Sequence, residues 1–227
     1  MKVQIAAYTV IAVPSALEGT GYRLHEDFIN SADELAEFAF RHYDGTLSHP
    51  HDAMGPNEDI LMEAMSEGST GIFDHASATI VASGVSRRLG MELDARFFAQ
   101  GLKVYMPKLL LDENTIHFVV PEVISQYDGL AAYVEDLWET SAVKAYTHLA
   151  ARLVDKGHSP WEASRAAECV LPATIETTML ISGSMSSWRD VAVLTRRPGA
   201  ASEEAVRFAT KALAQLKTIA PNTFQAL

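Results

Sequence analysis

Cysteine is nearly missing from this 227-residue chain: Cys169 is the only one, which excludes an internal disulfide and any CxxC metal site. Basic residues are scarce too. The 18 Lys and Arg face 29 Asp and Glu, a net charge of −11. That is the wrong sign for a general nucleic-acid surface, although a phosphorylated small molecule needs only a few local arginines. No apolar run reaches the ~18 residues of a membrane span. No internal repeat or low-complexity linker is visible. Neither GxGxxG nor GxxxxGKS occurs, so any nucleotide must be held by another arrangement. What remains is an ordinary globular composition, 48% apolar, which rules out a disordered chain. The length predicts a single domain over 1–227, and the near-absence of cysteine makes cytoplasm the simplest location.

The periodicities predict an α+β chain in which helices dominate, without the regular βαβ alternation of a doubly wound sheet. Val3, Ile5 and Ala7 alternate with Gln4 and Ala6, which predicts a first β-strand rather than a short signal peptide. Ser31 to Glu34 reads as a capping box opening a helix with Leu35, Phe38, Ala39 and His42. Asn57 is expected to cap a short helix bearing Ile60, Leu61 and Met65, which Gly68 stops. Residues 73–83 read as a strand, and the helix VSRRLGMELDAR follows from Gly84. Apolar residues from Leu130 to Leu153 predict one long helix to Asp155, with Gly157 as its stop. Ser159-Pro-Trp-Glu162 is a second capping box. A strand over Thr174–Ser182 and helices near 184–195 and 202–219 complete the pattern.

Four constellations carry chemical interest. His49, His51 and Asp52, with His75 near in type, have the donor chemistry of zinc, but sit in a polar Pro-containing loop, so no metal is expected. Arg88, Glu92 and Arg96 stand four apart on one helical face. They read either as a surface ion ladder or as a pocket wall whose guanidinium forks hold phosphate or pyrimidine carbonyls. Arg196 and Arg197 follow Trp188-Arg189-Asp190 at a helix end, where cations suit the helix dipole. Cys169, flanked by Ala167, Val170 and Leu171, reads as core packing rather than a nucleophile.

Two blocks give these pieces a family context. The first is Phe73-Asp-His-Ala-Ser-Ala-Thr-Ile-Val-Ala-Ser-Gly-Val-Ser-Arg87, continuing to Met91-Glu-Leu93. The second is Ala166-Ala-Glu-Cys-Val-Leu-Pro172, then Glu176-Thr177, Ser182-Gly-Ser184 and Trp188-Arg189. In this order and spacing they resemble the flavin-dependent thymidylate synthases, whose stretches have the forms LEHASxxFxxxGxSRxxxHEL and AR-x-VLP…ET…TGN…WR. Ser202 to Arg207 and Ala220 to Phe224 are similar to that family's ending. The departures are specific. The family signature, RHR followed by a serine and then RY, is eroded in DARFFAQGLKV between Leu93 and Tyr105. Arg96 keeps one arginine, and the signature serine falls near Leu102 and the second arginine near Lys103 or Val104. Glu168 stands for the arginine before VLP, and Ser184 for the asparagine of TGN. Such drift fits the UMP C5-methylase branch of nucleoside-antibiotic pathways.

The resemblance implies a thymidylate synthase-complementing protein fold: a mixed β-sheet flanked by helices, assembled as a homotetramer with FAD at subunit interfaces. It implies reductive methylation of UMP or dUMP at C5, with methylenetetrahydrofolate as one-carbon donor and NADPH reducing the flavin, and no nucleic acid or membrane as partner. By position it implies Arg87 and Arg196 as catalytic residues. Arg87, Arg88, Glu92, Lys103, Tyr105, Arg196 and Arg197 would hold the nucleotide. Ser69, Thr70, Asp74, Arg96, Ser184, Arg189 and Asp190 would hold FAD, with His75 structural. The eroded wall at 94–104 implies acceptance of the 2′-hydroxyl of UMP. Two alternatives stay open: a catalytically degenerate FAD- or nucleotide-binding module, and a metallohydrolase on His49, His51 and Asp52.

Overall fold

In the computed structural model the described residues are all except 13, 21, 23–30, 48–54, 108–115 and 198. His49, His51 and Asp52 therefore lie outside them. Four strands form the sheet among the described residues: β1 (Lys2–Tyr8), β2 (Ser77–Ser86), β3 (Lys103–Tyr105) and β4 (Glu176–Ser184). Their order is β1-β2-β4-β3, and every pairing is antiparallel. The mixed sheet implied above is thus corrected. β2 leads through a helix to β3, which lies beyond β4 and runs in the same sense as β2 without pairing with it; β4 then inserts antiparallel between the two.

Around the sheet run α1 (Pro14–Glu18), α2 (Ser31–Asp44), α3 (Asn57–Ser66), α4 (Arg87–Phe97), α5 (Glu122–Ser125), α6 (Asp128–Leu137), α7 (Lys144–Asp155), α8 (Pro160–Ala167), α9 (Met185–Ala192) and α10 (Glu203–Leu216). One face of the sheet presents Val3, Ala78, Ile80, Ala82, Met179 and Ile181 to the core, where Trp188, Phe208 and Leu93 of the helices bury against it. The Trp188 indole N–H donates to the Ala78 carbonyl at 3.0 Å, which satisfies the polar end of a fully buried aromatic. The other face leaves Gln4, Lys103, Tyr105 and Leu180 exposed. A smaller cluster, Ile116, Tyr146, Ala167 and Ile175, packs under α7 and α8.

Several boundaries move for identifiable reasons. The first strand forms, but its register shifts between Ile5 and Ala7, so Ala7 leaves the buried row and is exposed. Residues 70–74 form a 3-10 turn rather than the start of a strand. β2 instead continues through Gly84, where a bulge breaks the pairing between Ala82 and Val85. Gly84 has φ +65, and a Cβ there would stand 3.1 Å from the Met1 amine, so only glycine suits the bulge. Asn57 is not a cap. Pro56 holds that position, and the Asn57 amide is turned inward, donating to the Asp33 carbonyl at 3.2 Å and to Glu37 at 2.8 Å.

The long helix begins at Asp128, and its middle turn, Trp138–Val143, is π-helical. Trp138 packs there on Phe118 with ring centroids 4.9 Å apart. Gly157, at φ +94, lies just past its end as expected, and Ser159 with Glu162 makes the reciprocal capping box. The strand expected over 174–182 runs Glu176–Ser184, and the last helix ends at Leu216. Among the described residues no helix is long and apolar enough to cross a membrane.

Candidate functional site

Two polar sites are built by the sheet and its helices. The first lies where β2 begins and β4 ends. Ser77 pairs with Ser184 across the strands, which brings the 3-10 turn Thr70–Asp74 against the start of α9. The Ser184 hydroxyl donates to the Asp74 carboxylate at 2.9 Å and accepts the Ser187 N–H at 3.1 Å, capping α9. One helical turn on, the Arg189 guanidinium lies 4.7 Å over the Phe73 ring and donates to the Thr223 carbonyl. Burial pulls the Arg189 pKa down, with Asp190 opposing the shift. Burial pushes Asp190 up, Arg189 opposing and Asp74 adding to it. Asp74, Ser184, Arg189 and Asp190 thus form one cluster, with Thr70 on the same turn as Asp74 and Ser69 at its N-cap. His75 sits beside it, exposed.

The second site is a groove along α4, lined by Arg88, Met91, Glu92, Arg96 and the segment 199–202. The sequence puts Arg88, Glu92 and Arg96 on one face, and the fold keeps them there. Ser86 caps α4 through the Leu89 N–H at 3.1 Å and gives its own hydroxyl to Glu204 at 2.5 Å. The Arg88 N–H is tied to the Ala173 carbonyl at 2.7 Å. Glu92 is held by the Ser202 N–H at 3.0 Å and by Arg96 Nε at 3.1 Å. Arg88 makes no ion pair among the described residues, which leaves its fork for a ligand.

Burial alone would raise the Glu92 carboxyl, but hydrogen bonds from Ser202 and the charge of Arg96 more than offset it and hold the group below the usual range. A depressed carboxyl contributes stability above its unfolded pKa and loses it as pH falls through the folded one. Glu92→Gln should therefore lower the urea midpoint at neutral pH, and its difference from the parent should shrink as the pH falls below the usual carboxylate range. A difference that persists undiminished in acid would show that the carboxylate charge is irrelevant.

The other expected residues are spread over separate surfaces. Arg87 lies in a notch with Glu168, Leu171 and Pro172, its guanidinium 3.6 Å from the Glu168 carboxylate. Arg96 belongs to the α4 groove and not to the Asp74–Asp190 cluster. Lys103 and Tyr105 stand on the outer sheet face, Lys103 opposite Ser182 and over the Phe98 ring at 4.7 Å. Arg196 donates to the Ala226 carbonyl, and Arg197 is exposed. Leu102 points away from any wall; it is fully buried in the main core.

Cys169 is exposed, not packed in the core. It sits in a 3-10 turn, Glu168–Val170, that rotates its side chain outward after α8 ends. Cys169→Ser should accordingly change stability by no more than about 0.5 kcal/mol and leave turnover unchanged; loss of activity in a folded variant would contradict this. Sequence reading missed Asp33 and Thr223, whose contact lies 190 positions apart and has no local signal.

The family model described as thymidylate synthase complementing protein matches residues 26–222. A probable flavin-dependent thymidylate synthase of Mycobacterium phage D29 is 32% identical over 230 residues, covering 99% of this chain and 95% of that protein. Its counterpart from Mycobacterium phage L5 is 30% identical over 253 residues, with 99% and 96% covered. The flavin-dependent thymidylate synthase of Mycobacteroides abscessus is 27% identical over 234 residues, with 99% and 88% covered. The chain belongs to the thymidylate synthase complementing protein family.

Proposed function

We propose that this protein is an enzyme that reductively methylates a uridylate at C5, using FAD, methylenetetrahydrofolate as one-carbon donor and NADPH as reductant. The observation that carries the reading is the similarity, over 99% of the chain, to a probable flavin-dependent thymidylate synthase. The first polar cluster suits a flavin dinucleotide. Apart from its bond to Thr223, the Arg189 guanidinium has no hydrogen-bond partner among the described residues, so it can donate to ring carbonyls or pyrophosphate. The carboxylates of Asp74 and Asp190 would accept from ribityl or ribose hydroxyls, and Ser184, whose hydroxyl proton goes to Asp74, holds that carboxylate in place. Ser69 and Thr70 extend that set. Bound there, the reduced flavin supplies the hydride.

The α4 groove suits the nucleotide. Arg88 and Arg96 offer forks to phosphate and to the uracil carbonyls, and guanidinium near those carbonyls stabilises negative charge as C5 becomes nucleophilic. Glu92 keeps Arg96 aimed. We read Arg96 as a nucleotide group for this reason, not a flavin one. Arg87 and Arg196 are each held by their own chain and enter the reading as charge-stabilising groups presented to a neighbouring copy in a homotetramer. Arg197, Lys103 and Tyr105 are assigned to the same shared nucleotide site.

Acceptance of UMP would need Leu102 and Val104 to form a reshaped nucleotide wall. With Leu102 buried, that wall loses its central residue, and dUMP is the preferred substrate in this reading. Adding FAD, methylenetetrahydrofolate and NADPH to the protein with each nucleotide tests it. The expected result is a yellow protein that bleaches with NADPH and a methylated product about 14 Da heavier, with kcat/KM for dUMP at least about tenfold above UMP. A colourless protein that takes up no FAD supports the degenerate module instead, and a higher kcat/KM for UMP supports the antibiotic-pathway branch.

A further inference from the structure

Asp33 is a charged residue in an unexpected place. It lies in the first turn of α2, 2% exposed, and makes no ion pair among the described residues. Its carboxylate is met by three donors from the far end of the chain. Thr223 gives its N–H at 2.8 Å and its hydroxyl at 2.6 Å to one oxygen, and Asn222 gives its N–H at 3.0 Å to the other. A buried carboxylate is tolerated only when so satisfied. Asn57, turned inward from α3, adds a further tie, for it donates to the Asp33 carbonyl and accepts from the Asn222 amide at 2.8 Å. With Thr223 so anchored, the Phe224 N–H donates to the Pro221 carbonyl at 3.2 Å, which closes the peptide following Thr223 into a turn.

That peptide's carbonyl is the one that accepts from Arg189. The guanidinium is then confined between this carbonyl and the Phe73 ring, 4.7 Å away. Phe73 precedes Asp74, the residue that Ser184 holds. A long arginine side chain has many rotamers, and ordering it at the moment of binding costs affinity. Here the order is supplied in advance by a chain of contacts that begins at Asp33.

We propose that Asp33 is a positioning residue for the flavin site, acting through the Thr223 carbonyl to fix the direction in which Arg189 presents its remaining N–H groups. The proposal rests on the assignment of FAD to the Asp74–Ser184–Arg189–Asp190 cluster. A purely structural Asp33 would tie the C-terminal segment to α2 and affect folding alone.

The test is FAD titration of the purified full chain, followed by flavin fluorescence, for the parent, Asp33→Asn, Arg189→Ala and the double variant, with the folded fraction measured by circular dichroism. The asparagine is isosteric but turns an NH2 toward either the Asn222 N–H or the Thr223 donors, so the contact is lost without loss of volume. Each single variant is expected to weaken FAD about tenfold in the folded protein. Because both act through one group, the double variant should be within about twofold of Arg189→Ala rather than a further tenfold weaker. Should Asp33→Asn fail to fold, Thr223→Val, which removes only the hydroxyl bond, should weaken FAD about threefold and show the same non-additivity. A folded Asp33→Asn or Thr223→Val protein that binds FAD like the parent, while Arg189→Ala does not, overturns the inference alone, as does a fully multiplicative double variant. An Arg189→Ala protein with parental FAD affinity overturns the cofactor assignment and the inference with it.

Discussion

Leu102→Ser is expected to destabilise the protein by about 3–8 kcal/mol rather than restore a site. The resemblance puts a signature serine near this position, so reversion looks attractive on sequence grounds. The side chain is fully buried, however, packed among the core residues where the chain turns from α4 into β3. Gly183 lies beneath it, so close that a Cβ there would stand 3.0 Å from the Leu102 Cδ1. Truncating a buried leucine costs about 2–5 kcal/mol through lost transfer free energy and the cavity left behind. A hydroxyl in that apolar space adds about 1–3 kcal/mol unless it finds a partner. The sum is a large share of the roughly 5–15 kcal/mol that holds a domain folded. Urea unfolding of parent and variant measures it. A loss below about 1 kcal/mol would mean that the site is open and that the buried placement of Leu102 is wrong.

The same residue marks where sequence reading failed. The helix α8 behind its Ser159–Glu162 capping box was legible because those signals lie within four residues of one another, whereas α4, expected from Gly84, begins at Arg87 behind an unread Ser86 cap. The face carrying Arg88, Glu92 and Arg96 was legible for the same reason: helical spacing alone puts them together. The strand ends were not. β2 runs past Gly84 because a bulge absorbs the irregularity, and only its pairing with β4 and the approach of Met1 reveal that. Asn57 had the composition of a cap, yet its amide satisfies buried acceptors on α2 and leaves the cap to Pro56. Cys169 looked buried because its neighbours are apolar, but the 3-10 turn after α8 decides the direction of its side chain.

Within the site, the difference between near and far contacts is sharper still. Asp74 and Ser184 are 110 positions apart and meet at 2.9 Å, and only the family resemblance linked them beforehand. The separation of Arg96 from that cluster could not be read from order along the chain. It follows from geometry, since α4 points its polar face toward the segment 199–202. One-dimensional spacing identifies a helical face; which neighbour that face meets is a property of the sheet order.

The groove assignment has a correspondingly large expected effect. Arg88→Ala combined with Arg96→Ala should weaken dUMP binding by about 10²–10⁴-fold, with FAD binding changed by no more than about twofold. Each guanidinium contributes a charge-assisted hydrogen bond to phosphate or carbonyl, about 1.5–3 kcal/mol apiece, and two such losses at one ligand give the stated range. Stability should hold, because both side chains lie on the rim of an open groove and the Arg96–Glu92 pair, part-exposed on the arginine side, is worth little in solvent. Glu92 retains its bond to the Ser202 N–H, so the segment 199–202 stays anchored. Arg88→Lys separates shape from charge: an ammonium keeps the sign but not the planar fork, so it should recover only part of the affinity lost by Arg88→Ala. Calorimetric titration of dUMP into the FAD-loaded protein reads all three. If the double variant binds dUMP within twofold of the parent, the groove is not the nucleotide's seat. If dUMP and FAD are lost together, Arg96 belongs with the flavin after all, and the two sites are one.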